Sequence, residues 1–172
     1  MPRTPARFAL KFVIGFALLV AAFEASRGSV FERFVVEDVI LTPTVLLINS
    51  MTPSEQVTLV GRSLKSDGAN LHVTRGCEGI EMFLLLIAAI IAFPVTFGRR
   101  IQGLIYGAVL AYVLSISRLM TLHYVLRYSP RSWEMLHGLV LPLVPIVLMA
   151  LFFLSWASLS PLPNELRGAR AA

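Results

Sequence analysis

LHGLVLPLVPIVLMALFFLSW, residues 136–156, is the stretch that decides what kind of protein this is. Its only ionisable side chain is His137. At ~1.5 Å per residue, a helix of this length covers the ~30 Å hydrocarbon core of a bilayer. Pro142 and Pro145 fall inside it, and membrane bundles tolerate the kinks such prolines bring because neighbouring groups satisfy the freed backbone. Working back along the chain, residues 101–122, 77–97 and 8–25 repeat the pattern, the middle one with Pro94 near its end. Hydrophobic residues make up 56% of the 172, and mean hydropathy is +0.76. A soluble domain this small has no interior large enough for so much apolar surface, so lipid is the natural solvent.

The predicted fold class is therefore an all-α integral membrane protein, one domain over residues 1–172 with four transmembrane helices. The segment between the first two, 26–75, is mixed. Within it, 31–51 reads as an amphipathic helix interrupted at Pro43, lying on the membrane interface or dipping into it. Residues 56–63 and 70–74 alternate as two short strands, with Ser66-Asp67-Gly68 supplying the turn of a β-hairpin. The first apolar run resembles a signal peptide in length, but no small-x-small cleavage site follows, so it reads as a retained helix. The tail from Pro161 is short and polar.

The net charge of +5 would suit nucleic acid, but flanking arginines explain it better. Arg3, Arg7 and Lys11 mark the start of the first helix. Arg99 and Arg100 separate the second from the third, and Arg167 and Arg170 follow the fourth. The positive-inside bias puts all three groups in the cytoplasm if the chain crosses four times. Both termini are then cytoplasmic, and segment 26–75 and the loop 122–135 lie outside, with Arg127 and Arg131 running against the bias. The expected location is the cell (inner) membrane, multi-pass, with the lipid bilayer as a partner and no nucleic acid.

This topology gathers three reactive side chains at one depth. Cys77 opens the second helix at its outer end. Arg118 lies about 27 Å beyond Arg100, near the outer edge of the core. His137 opens the fourth helix, again outside. Each has a plainer reading: an inert small hydrophobe, an arginine snorkelling to headgroups, an interfacial histidine. Cys77 is the only cysteine, which removes internal disulfides and thiolate metal clusters; no metal or cofactor is expected. An unpaired thiol facing an oxidising compartment invites a use. Arg75 and a helix N-terminus favour its thiolate, while Glu78 opposes it. Together the three can attack a carbonyl, shuttle a proton and stabilise an oxyanion. Glu81, four residues after Cys77 on the same helix face, could orient Arg118 or His137 or pair with Arg75. His72 and His123 are alternative bases.

The stretch Arg75-Gly76-Cys77-Glu78-Gly79-Ile80-Glu81 resembles the cysteine motif of the exosortase/archaeosortase membrane transpeptidases. Ala92-Phe93-Pro94 is similar to their short, single-domain branch. Ser115-Ile116-Ser117-Arg118-Leu119 resembles the arginine motif, and Met135-Leu136-His137-Gly138 the histidine motif. The resemblance spans residues 71–156. It departs at Glu78, where a small polar residue is usual, and at Ser115, where Asn is usual; Ser115 remains a candidate supporting residue. The resemblance implies Cys77 as nucleophile, Arg118 as oxyanion or substrate stabiliser and His137 as general acid/base. The implied partners are exported proteins ending in a recognition motif, a transmembrane helix and a basic tail. Cleavage would leave a thioester for an amine, glycan or lipid acceptor. The rival readings are a non-enzymatic scaffold or small transporter subunit, and a haem or quinone protein using His72, His123 and His137. No Gly-x-Ser-x-Gly or His-Glu-x-x-His occurs.

Overall fold

The computed structural model describes residues 5–160 apart from 75 and 77; Cys77, Arg75, Arg3, Arg167 and Arg170 thus lie outside the described residues. Helix α1 (Pro5–Ala25) is followed by α2 (Val30–Met51), then by strands β1 (Thr58–Val60), β2 (Ser63–Ser66) and β3 (Ala69–His72). Helices α3 (Ile80–Ala92), α4 (Phe97–Tyr128) and α5 (Pro130–Ser158) complete the chain. Four helices are long and apolar enough to cross a membrane: α1 from Ala6, α2, α4 and α5.

The number agrees with the sequence reading, but the membership differs. The run 77–97 yields only the 13-residue α3, about 20 Å long. Gly79 precedes it in a left-handed conformation (φ +80°), which delays the start. At the other end Phe93 takes ψ 135°, the extended backbone that a following proline ring enforces. Pro94 therefore ends the helix; it does not kink it.

By length and composition α2 joins the membrane-length set, and it has no break at Pro43. Residues Phe34–Leu41 are π-helical, and the Thr42 N–H donates to the carbonyl of Glu37, five residues back. The same device recurs in α5, where Leu136–Val140 is π-helical, Leu141 donates to Leu136, and Pro142 follows at once. A proline lacks an N–H and its ring crowds the carbonyl four residues earlier, so opening the preceding turns lets the helix run on. Nor is α2 amphipathic in the expected sense. Val36, Ile40, Leu41 and Ile48 are buried, while Phe31, Phe34, Leu46 and Leu47 are exposed. A helix apolar on both faces suits lipid on one side and protein on the other.

The expected hairpin is a three-stranded antiparallel meander, in the order β1-β2-β3. Val60 pairs with Ser63 across a two-residue turn, with Gly61 at φ +57°, and this splits the predicted strand 56–63 in two. Ser66 pairs with Ala69 across Asp67-Gly68, as the turn chemistry foretold.

Two cores follow. Val36 and Ile48 of α2, Leu64 and Leu71 of the sheet, and Leu119 and Leu122 of α4 form the first. Leu86 and Ile90 of α3 form the second with Ala111, Met149 and Trp156. The Phe8, Phe93 and Phe153 rings meet at the end of the bundle where Arg99 donates to the Ser160 hydroxyl at 3.1 Å. The sheet sits at the opposite end. With 32 residues, α4 is about 48 Å long, well beyond the hydrocarbon core, and its last turns carry the sheet.

Candidate active site

The strap joining β3 to α3 carries the cysteine motif, and two glycines shape it. Gly76 and Gly79 both have left-handed backbone, at φ +81° and +80°, which any other residue adopts at a cost. Gly79 is doubly constrained, because a Cβ there would lie 2.5 Å from the Ser115 hydroxyl of α4. The strap therefore lies directly on α4.

Arg118 lies three residues after Ser115, one turn along the same helix, and is buried at 6% exposure. Its side chain turns inward: Nη1 donates to the Gly76 carbonyl at 3.1 Å, and Nε is buried with no hydrogen bond among the described residues. Gly79, Met82, Leu114, Ser115, Pro145 and Met149 close a cavity of ≈ 10 Å³ with Arg118, about the room of one water. Snorkelling to headgroups does not describe this arginine. A guanidinium fixed in a low-dielectric pocket with unspent donor capacity can receive developing negative charge.

Glu78 is almost fully buried, at 2% exposure, and its Oε1 has no hydrogen bond among the described residues. Burial holds its carboxyl above the ordinary range against the pull of Arg62, whose Nη1 lies 3.5 Å away on the β1–β2 turn. Nη2 of Arg62 donates at 2.7 Å to Glu32 in the first turn of α2, and Glu32 also accepts the Gly28 N–H at 2.6 Å. Arg62 thus ties the sheet to α2 and to the strap. Glu81 sits half-buried in the first turn of α3.

His137 is half-buried in the π-helical turn of α5 and stacks on Trp133, with ring centroids 4.9 Å apart and planes at 10°. The part of α5 that reaches the Arg118 cavity is Pro145 and Met149. Pro145 is eight residues further on, about 12 Å along the helix. The structure therefore brings Arg118, Ser115 and the motif glycines together, and His137 does not line their cavity.

The alternative bases are placed elsewhere. His72 is exposed on β3, with Nδ1 2.8 Å from the Ser63 hydroxyl. His123 is fully buried, with Nε2 3.5 Å from Glu55 Oε2. Glu55 gathers the end of α4 under the sheet: it accepts from the Tyr128 hydroxyl at 2.5 Å, from Arg127 Nε at 3.4 Å and from the Ser66 hydroxyl at 3.2 Å. The Tyr128 hydrogen bond above all, with Ser66 and Arg127, holds the Glu55 carboxyl below its ordinary range against the opposing effect of burial. Haem ligation by paired histidines gains nothing from this placement, since His72 is on the sheet surface and His123 is packed against a carboxylate. Among the described residues no group of three or more metal-ligating side chains converges.

Sequence reasoning missed Arg62, Glu32 and Glu55. The partners that tie distant elements together, Arg62 to Glu32 and Glu55 to Arg127 and Tyr128, lie 30 or more residues apart in the chain, and no spacing announces such pairs. Gly79 could have been found, because a glycine between Glu78 and an apolar helix marks a special backbone position. No protein-family model, curated protein or solved structure matches this chain.

Proposed function

We propose that this protein is a membrane-embedded cysteine transpeptidase of the exosortase/archaeosortase kind, acting on exported proteins with a carboxyl-terminal sorting signal. The observation that carries this reading is the hydrogen bond from buried Arg118 to the carbonyl of Gly76, the residue next to Cys77 in sequence. An arginine buried in a long apolar helix is costly and marks a functional position. Here it reaches the one motif that holds a nucleophile.

In the proposed reaction the Cys77 thiolate attacks the scissile carbonyl, and negative charge gathers on the carbonyl oxygen, stabilised by Arg118. The tetrahedral intermediate collapses to a thioester. The C–N bond breaks, and the leaving amine takes its proton from His137. An incoming amine or hydroxyl, deprotonated by His137, then attacks the thioester and releases the thiolate. The four long apolar helices support a multi-pass membrane location. The arginine clusters support an arrangement with both termini cytoplasmic and the strap outside, in which α1, α3, α4 and α5 cross; both ends of α2 lie at the sheet end, where Glu32 meets Arg62 and the Thr52 and Tyr124 hydroxyls are 2.8 Å apart.

The test is to co-express the protein with an exported substrate ending in a motif, an apolar helix and a basic tail. Wild type should cleave it and give a hydroxylamine-sensitive adduct, which Cys77→Ala abolishes while the substrate accumulates at full length. Unchanged processing in Cys77→Ala overturns the cysteine mechanism and favours the scaffold or transporter-subunit reading. A membrane-impermeant thiol reagent should label Cys77 in spheroplasts; labelling only in inverted vesicles reverses the proposed sidedness.

A further inference from the structure

At the end of the bundle away from the strap, α1, α3 and the start of α4 border an open groove of ≈ 470 Å³. Leu10, Ile14 and Gly15 line one wall and Ile91 the other, with Lys11 and Arg100 at the same site. Among the described residues neither cation forms an ion pair with a carboxylate. Arg100 is only partly spent: Nη2 donates to the Phe93 carbonyl at 3.4 Å, and Nε is buried without a hydrogen bond among the described residues. The aromatic cluster of Phe8, Phe93 and Phe153 lies beside it.

We propose that this groove is a binding site for an anionic phospholipid, with an acyl chain against Leu10, Ile14 and Ile91 and the phosphate between Lys11 and Arg100. The occupant must be apolar along its length and anionic at one end. A neutral lipid leaves both cations uncompensated. A free phosphate leaves the aliphatic walls uncovered, and a helix with a basic tail brings like charge against like. Basic pockets between membrane helices suit anionic headgroups for the same electrostatic reason, and long cationic side chains reach that depth while their stems stay in the apolar layer. The site lies at the opposite end from the strap and does not depend on the proposed reaction.

The test uses the full chain reconstituted in phosphatidylcholine vesicles doped with phosphatidylglycerol, with co-purifying lipid counted by native mass spectrometry. Two cations at headgroup depth predict a preference for phosphatidylglycerol of roughly 30-fold. Lys11→Gln and Arg100→Gln should each lower it about five-fold. Gly15→Phe, built where a Cβ meets open space, should fill the groove and remove retention with both cations intact. Equal retention of the two lipids overturns the site, as does an undiminished preference in the double glutamine variant. Displacement by glycerol phosphate or inorganic phosphate would show a headgroup-only anion site and also overturn it. If Arg100→Gln loses its helical circular dichroism, Lys11→Gln and Gly15→Phe decide the outcome alone.

Discussion

Two buried carboxylates, Glu55 at the far end of α4 and Glu78 in the strap, solve the same problem in opposite ways. Glu55 accepts hydrogen bonds from Tyr128, Ser66 and Arg127 and has His123 beside it. Glu78 has one arginine at 3.5 Å and an oxygen without a hydrogen bond among the described residues. The Glu55 carboxylate is saturated and holds the sheet to the helix, although both ring nitrogens of the buried His123 beside it lack a hydrogen bond among the described residues. The strap region, where Arg118 also keeps an unspent Nε, has donor and acceptor capacity left over. Polar groups whose partners are all supplied by the fold make structure. Groups left short of partners inside a protein cost stability, and they are what chemistry on a bound substrate would use.

The contrast should break first at Arg118. Arg118→Lys keeps the charge but loses the planar fork, and substrate processing should fall about 100- to 1000-fold, the usual cost of an oxyanion donor. Processing measured at matched enzyme levels checks this; a rate within a few-fold of wild type would remove Arg118 from the reaction.

Gly79→Ala should cost about 1–2 kcal/mol in thermal unfolding from its left-handed backbone alone, with a further loss from contact with Ser115. Adding Ser115→Ala should restore only the contact part. Full recovery in the double variant would mean that the backbone conformation carries no cost.

Glu55→Gln should destabilise by roughly 1–3 kcal/mol through the partners it weakens, yet leave processing per folded molecule unchanged. The saturated carboxylate also predicts a pH signature. Because the Glu55 carboxyl is held below its ordinary value of 4.5, it contributes stability above that pH, and the contribution fades as pH falls below it. Melting temperature measured from pH 6 to pH 3 should fall more steeply in wild type than in Glu55→Gln. Parallel curves would mean that Glu55 does not pin the sheet.

The smallest stability effect belongs to Glu78→Gln, about 1 kcal/mol or less in either direction, since little is lost from an already under-bonded group. Processing should nevertheless change, because position 78 adjoins the proposed nucleophile, Cys77. A large loss of stability with normal processing would reverse the roles assigned to the two carboxylates.

How much was legible in the sequence follows from the range of each interaction. Long apolar runs announce membrane-length helices because length and hydropathy are local properties, and 8–25, 101–122 and 136–156 each correspond to such a helix. The turn at Asp67-Gly68 was equally readable. Counting residues along helices led to the expectation that Cys77, Arg118 and His137 share one depth; of these, Arg118 turns inward toward the strap. Tertiary structure alone decided that α2, and not 77–97, supplies the fourth membrane-length helix. Gly79 and Pro94 cut the one short, while a widened turn carries the other through Pro43. It also decided that the last helix meets the Arg118 cavity at Pro145 and Met149, and that Arg62 from a turn faces Glu78 sixteen residues later. Those outcomes depend on which surfaces pack together, and a linear chain carries no local signal for pairs that only packing brings within a few ångströms.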